Sequence, residues 1–242
     1  MPATKPPAAT PSADDTRVLA GSSNAIVDAS GNRWTISSGN LVAVNGVPDT
    51  TTGNVTELAY VGGKVWQENS GSLWWGETSP SSAWAPAAGT STSPLPAPIS
   101  IASGTTSTTV SQSQVQVMAT AGTHMLFISG AGDVISLTGG AATITDTGHG
   151  NTYIIPAAGK GIDTFTNNIL GIGDTLDLKP ALAATNWNGS TSTLSKYLTV
   201  TDSAQGAALA VAPTSGGTGV TIARFDGATT LTLSSLLSHA MT

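Results

Sequence analysis

Between Asn24 and Gly76 short apolar runs alternate with turn-forming pairs. The runs cover residues 25–28, 34–37, 41–44, 55–61, 64–68 and 73–75, and the breaks include Ser38-Gly39, Asn45-Gly46, Gly62-Gly63 and Ser70-Gly71. Asn-Gly and Gly-Gly supply the positive φ angles that two-residue hairpin turns require, so the pattern predicts an antiparallel meander of about six strands over residues 21–77. A two-residue turn at Gly62-Gly63 would pair Val61 with Lys64, Ala59 with Trp66, and Glu57 with Glu68. A weak internal repeat relates Ser30-Gly31-Asn32-Arg33-Trp34 to Ser70-Gly71-Ser72-Leu73-Trp74.

A different period follows. Over residues 109–170, β-prone runs begin at Val115, His124, Asp133, Ala142 and Asn151, each nine residues after the last, with glycines in the gaps. Nine residues with glycine corners is the period of a parallel β-roll or β-helix with stacked coils. A series of glycine-rich hairpins gives a similar spacing. Residues 171–242 predict a short helix near 194–197, strands near 198–201, 208–212 and 220–225, and a terminal leucine-rich segment. If that segment is helical, Leu233, Leu236 and Leu237 share a face. Residues 1–20 are rich in Pro, Ala and Thr and predict a disordered leader. Residues 78–108 read as a Pro/Ser/Thr linker, with Trp84 packing back onto the meander. The fold class is all-β: an antiparallel meander, a nonapeptide-period parallel segment, and a β-rich C-terminal domain.

Composition narrows the function. Only 9% of the 242 residues are charged and the net charge is −6. Eight Lys and Arg spread along the chain do not make the basic patch that nucleic-acid binding needs. The absence of cysteine excludes disulfides, zinc-thiolate sites and thiol catalysis. The N-terminal stretch has no apolar h-region, so no Sec signal peptide is expected, and no run is long enough for a membrane helix. The three histidines have no His-x-x-Glu-His or Gly-x-Ser-x-Gly motif beside them, so an enzyme is not expected.

Five of the six tryptophans lie between Trp34 and Trp84. Indole faces stack on the apolar faces of sugar rings, and they also fill small cores. Trp34 and Trp66 read as core. Trp74 and Trp75 are adjacent, so in a strand they point to opposite faces, and the pair is the candidate binding site. Glu57 opposite Glu68 is a repulsive pair that could bind a cation or act as the close carboxylates of a retaining glycosidase, or could simply face solvent.

The segments Gly148-His-Gly-Asn-Thr-Tyr153, Gly159-Lys-Gly-Ile-Asp-Thr-Phe165 and Gly173-Asp-Thr-Leu-Asp-Leu178 resemble the tail of RTX-type exported proteins. Leu194-Ser-Lys-Tyr-Leu-Thr-Val-Thr-Asp202, Thr221-Ile-Ala-Arg-Phe-Asp-Gly227 and the leucine-rich end are similar to the segments that close that family's C-terminal domain. The resemblance covers about residues 130–242. It implies an uncleaved C-terminal secretion signal, here Leu231, Leu233, Leu236 and Leu237. It also implies bacterial type I export through an ABC transporter, an adaptor and an outer-membrane channel. The family's calcium-binding repeat implies Asp133, Asp163, Asp174 and Asp177 as candidate calcium ligands, whose other role is to cap turns. Asn151 and the turn at Gly139-Gly140 depart from that repeat. The Trp-rich N-terminal module is similar to a short module of bacterial exported polysaccharide-active and surface proteins, and Asp28…Gly31…Trp34 resembles an Asp-box hairpin. The expectation is an extracellular, non-enzymatic, adhesive or polysaccharide-binding surface or biofilm-matrix protein. The alternatives are a self-assembling homo-oligomer or filament subunit, and a small glycosidase using Glu57 and Glu68.

Overall fold

The computed structural model describes residues 10–104, 107–204, 206–226, 228 and 230–242. The chain is almost all β and divides into two compact units, Met1–Pro96 and Ala97–Thr242.

The first unit contains β1 (Thr16–Leu19), β2 (Ile26–Val27), β3 (Arg33–Ile36), β4 (Val42–Val44), β5 (Val47–Pro48), β6 (Val55–Val61), β7 (Lys64–Asn69), β8 (Trp74–Glu77) and β9 (Ala85–Thr90). They form two antiparallel sheets rather than one meander: β2-β3-β4-β5 and β1-β6-β7-β8-β9. Hairpin turns set the register. Asn45-Gly46 joins β4 to β5 with both residues at positive φ, as does Gly62-Gly63 between β6 and β7. The second turn gives the expected pairs Val61–Lys64, Ala59–Trp66 and Glu57–Glu68. Alternation along the strands separates two faces. One face of the larger sheet carries Val18, Leu58, Tyr60 and Val65 into a core with Ile26, Trp34, Ile36 and Val42 of the smaller sheet. The other face carries Ala59 and Trp74 into a small cluster with Leu95.

Two sequence boundaries shift. Within the expected leader, Thr16–Leu19 is a strand paired with β6; residues 1–9 lie outside the described residues. Within the expected linker, β9 completes the larger sheet beside β8, so the first unit runs on past residue 77. Neither strand has the alternating apolar pattern that would reveal it, and both are recruited by the edges of β6 and β8.

The second unit is a parallel β-solenoid of about four turns. One sheet runs through β10 (Ile99–Ile101), β12 (Gln116–Ala119), β14 (Val134–Leu137), β16 (Thr152–Ile154) and β18 (Thr175–Asp177). The other runs through β11 (Thr108–Val110), β13 (Gly122–Ile128), β15 (Gly140–Asp146) and β17 (Asp163–Phe165). Successive strands therefore go to alternate sheets, and the nine-residue period is half a coil. Equivalent positions of neighbouring coils are 18 residues apart, widening to 21 and 23 after Asp146. The interior is a stack of like side chains. Val117, Ile135, Tyr153 and Leu176 align in one sheet, and Leu126, Ile144, Phe165 and Phe225 in the other. The Phe165 and Phe225 rings stack at 5.3 Å.

The expected coil glycines sit where coil backbones nearly touch. A Cβ at Gly130 would lie 1.8 Å from the Gln112 carbonyl oxygen, and one at Gly148 would lie 1.8 Å from that of Gly130. After β18 the chain makes an excursion through α1 (Lys179–Ala183), β19 (Leu198–Ser203) and β20 (Gly206–Val211), then returns as β21 (Val220–Asp226) beside β17. β19 and β20 continue that sheet in antiparallel sense. Last come α2 (Leu233–Leu237) and β22 (Ala240–Met241), the latter pairing with β18. The described chain contains no helix long and apolar enough to cross a membrane.

Candidate functional site

The first unit contains an open groove of about 710 Å³, within the range of ligand sites. It forms because the smaller sheet covers the β1 and β6 side of the larger one. The β7–β8 side is left to the loop after β5 and to residues 80–87. Trp75 and Trp84 line it, with Gln67, Asn69, Asp49 and Thr51 among the polar groups.

Each of these side chains is held differently. Trp84 packs edge-to-face on Trp34, with centroids 6.3 Å apart, and its Nε1 donates to Asp49 Oδ2 at 2.9 Å. Asp49 Oδ1 accepts from the amide and hydroxyl of Thr51 at 2.9 and 2.7 Å. Burial opposes the charge on Asp49, but these hydrogen bonds outweigh it and hold the carboxyl below the usual range. Trp75 is half-buried and rests on Gly89, where a Cβ would come within 2.7 Å of the indole. Its indole N–H donates to none of the described residues. Gln67, paired with Trp75 across the strands, is only 6% exposed, and its carboxamide makes no hydrogen bond with a described residue. The groove therefore presents an indole face, a free N–H and an unengaged amide along one wall.

Trp74, the neighbour singled out with Trp75, points the other way and is buried with Ala59 and Leu95. Trp34 is core, its Nε1 donating to Asp28 Oδ2 at 2.9 Å, and Trp66 packs against the small cluster. Glu57 and Glu68 do lie opposite each other, on the face away from the groove. Glu57 forms an ion pair with Arg17 at 3.2 Å, and Glu68 is within 3.4 Å of the Thr56 hydroxyl. Burial pushes Glu57 up to about 7 despite Arg17. As neither glutamate lines the groove, the two do not flank a substrate site there. Sequence reasoning missed Asp49 and Gln67. Nothing in their local pattern marks them, because the loop and strand that carry them meet only in the folded unit.

The four candidate calcium ligands are dispersed. Asp133 and Asp174 belong to one interior ladder. Val115 N donates to Asp133 Oδ1 at 3.0 Å, Asp133 N to Asn151 Oδ1 at 2.8 Å, and Asn151 N to Asp174 Oδ1 at 2.8 Å. Asp163 lies in the other sheet and accepts from Ala142 N at 3.1 Å. Asp177 accepts from Lys179 N at 3.0 Å, beside α1. Burial raises Asp163 to about 6, and burial with the neighbouring charge of Asp146 raises Asp174. Among the described residues no three His, Cys, Asp or Glu side chains gather to hold a metal ion. One oxygen of each accepts a backbone amide, from the preceding coil for Asp133, Asp163 and Asp174 and from the turn that follows for Asp177, while Oδ2 of Asp163 and of Asp174 is buried without a hydrogen bond to a described residue.

The leucines of the proposed export signal are built into the solenoid. Thr232 and Ser235 form a capping box that starts α2, Leu236 is fully buried, and Leu231, Leu233 and Leu237 pack partly buried against the same core. No protein-family model, curated protein or solved structure matches the chain.

Proposed function

We propose that this chain is a bacterial, type I-secreted, non-enzymatic extracellular protein that binds polysaccharide through its first unit. The observation that supports binding is the groove lined by Trp75 and Trp84, with Gln67 buried yet unengaged. Sugar rings offer apolar faces to indoles and hydroxyls to amides, so the Trp75 indole and the Gln67 carboxamide, which lines the groove without a protein partner, suit the two sides of a sugar ring. The test is retention of the full chain on a panel of immobilised polysaccharides. Trp75→Ala is expected to reduce retention at least tenfold with the fold intact; equal retention on every polysaccharide would remove the groove as the site.

Export rests on the resemblance of the C-terminal segments. Deleting residues 231–242 is expected to keep the protein inside the producing cell. Because that segment also packs in the solenoid, the matching control is full-length Leu236→Ala, which is expected to be less stable but still exported. Secretion of the truncated chain would refute the C-terminal address.

A second reading, self-assembly into a fibre or surface layer, is favoured by Met125 and Phe127. They lie exposed side by side on the outer face of β13, at 47% and 40%. Ordered filaments in negative stain would establish it.

A further inference from the structure

The groove has a charge pattern that goes beyond a general affinity for sugars. None of its described lining residues is Lys, Arg or His, and Asp49 is ionised within it. Asp49 is fixed in place, one oxygen held by Trp84 and the other by Thr51. A second carboxyl stands close by. Glu77 follows Trp75 by two residues on the same strand face, is only 5% exposed, and is near enough for the charge of Asp49 to act on it. The Glu77 carboxyl makes no hydrogen bond with a described residue. Asp49 beside two indole rings forms a site for positive charge, because the ring faces also attract cations. An acidic glycan would meet repulsion there.

We propose that the groove selects an amino-sugar glycan, in which indole faces receive the rings while Asp49 receives the ammonium groups. This rests on the polysaccharide-binding reading above and names its substrate class. Gln67 and the Trp75 N–H engage ring hydroxyls, which neutral sugars also provide; the Asp49 carboxylate makes the choice between neutral and cationic chains.

Calorimetric titration of the full chain at pH 6 with three probes tests this: a fully deacetylated glucosamine hexamer, its N-acetylated counterpart and a polygalacturonate oligomer. The deacetylated hexamer is expected to bind at least tenfold tighter than the acetylated one, the polygalacturonate not at all, and added salt to narrow the gap. Asp49→Asn is expected to remove most of the preference. Burial pushes Glu77 up to about 7, so it is largely protonated at pH 6, and Glu77→Gln is expected to leave the preference in place. Equal or tighter binding of the acetylated hexamer, lost in Trp75→Ala, overturns the charge selection and leaves the glycan site standing. Absence of binding by all three probes overturns both, and so does binding indifferent to Trp75→Ala.

Discussion

Trp34 and Trp75 each follow, by six residues, a side chain that shapes a tight turn. Asp28 Oδ1 accepts from the amides of Ser30 and Asn32, and Asn69 Oδ1 accepts from those of Gly71 and Leu73. At the first turn the second carboxylate oxygen reaches Trp34 Nε1 and fixes the indole in the core. At the second, Asn69 makes no such bond and the Trp75 N–H stays available. This difference underlies the prediction that Trp75→Ala weakens polysaccharide binding by at least about 1.4 kcal/mol, the equivalent of tenfold, while the chain stays folded at the temperature of the assay. Asn151 gives a second residue-scale test. It accepts from Asp133 N while donating to Asp146 Oδ2 at 2.9 Å, a role aspartate cannot fill when ionised. Asn151→Asp puts another carboxyl among Asp133, Asp146 and Asp174. It is expected to cost about 3 kcal/mol at pH 8 and less at pH 5, where the added group is more readily protonated, read from urea unfolding.

At the scale of elements, the solenoid depends on close backbone approach between coils. In the column Gln112–Gly130–Gly148 a Cβ at either glycine would strike a carbonyl of the coil before it. Gly148→Ala is expected to destabilise the second unit by about 3 kcal/mol, the upper end for overpacking, since backbone cannot yield as a side chain can. An unchanged midpoint would mean that the coils can separate there freely. This column is also why the solenoid was legible in sequence: a half-coil of fixed length writes its period into both the glycines and the apolar runs. The register around Gly62-Gly63 was legible for a similar reason, since the turn is local. The split into two sheets was not, because it depends on which strand edges meet after folding. Thr16–Leu19 and Ala85–Thr90 lack the pattern of half-buried strands, yet become β1 and β9 by pairing with neighbours. Similarly, one tryptophan of the adjacent pair could be assigned to a surface, but the covering of the opposite face by Leu95 decided which.

For the whole molecule, buried carboxyls set the response to pH. Burial raises Glu57 and Glu77 each to about 7 from an ordinary value near 4.5. Folding therefore favours their protonated forms; the stability they contribute is present below about pH 4.5 and is lost as pH rises to about 7. Asp28 and Asp49, held low, act only below their ordinary range and leave this window to the glutamates. The first unit, followed by tryptophan fluorescence, is expected to unfold at lower temperature at pH 8 than at pH 5, and Glu77→Gln to flatten the profile. A midpoint that rises over that interval would contradict the assignment. In the second unit the candidate aspartates are spread over different coils and no three acidic side chains gather among the described residues, so its unfolding temperature is expected to be the same in EDTA and in millimolar calcium; a rise with calcium would show a coordination sphere the described side chains do not form.

The central claim is that the groove of the first unit is where polysaccharide binds. Side-chain amide and indole NMR of the full chain, titrated with a retained oligosaccharide, tests it most directly. The Gln67 carboxamide and Trp75 indole signals are predicted to shift together and saturate at one affinity, while those of Trp34 and Trp187 stay in place. Saturable binding with Gln67 and Trp75 unmoved would contradict it.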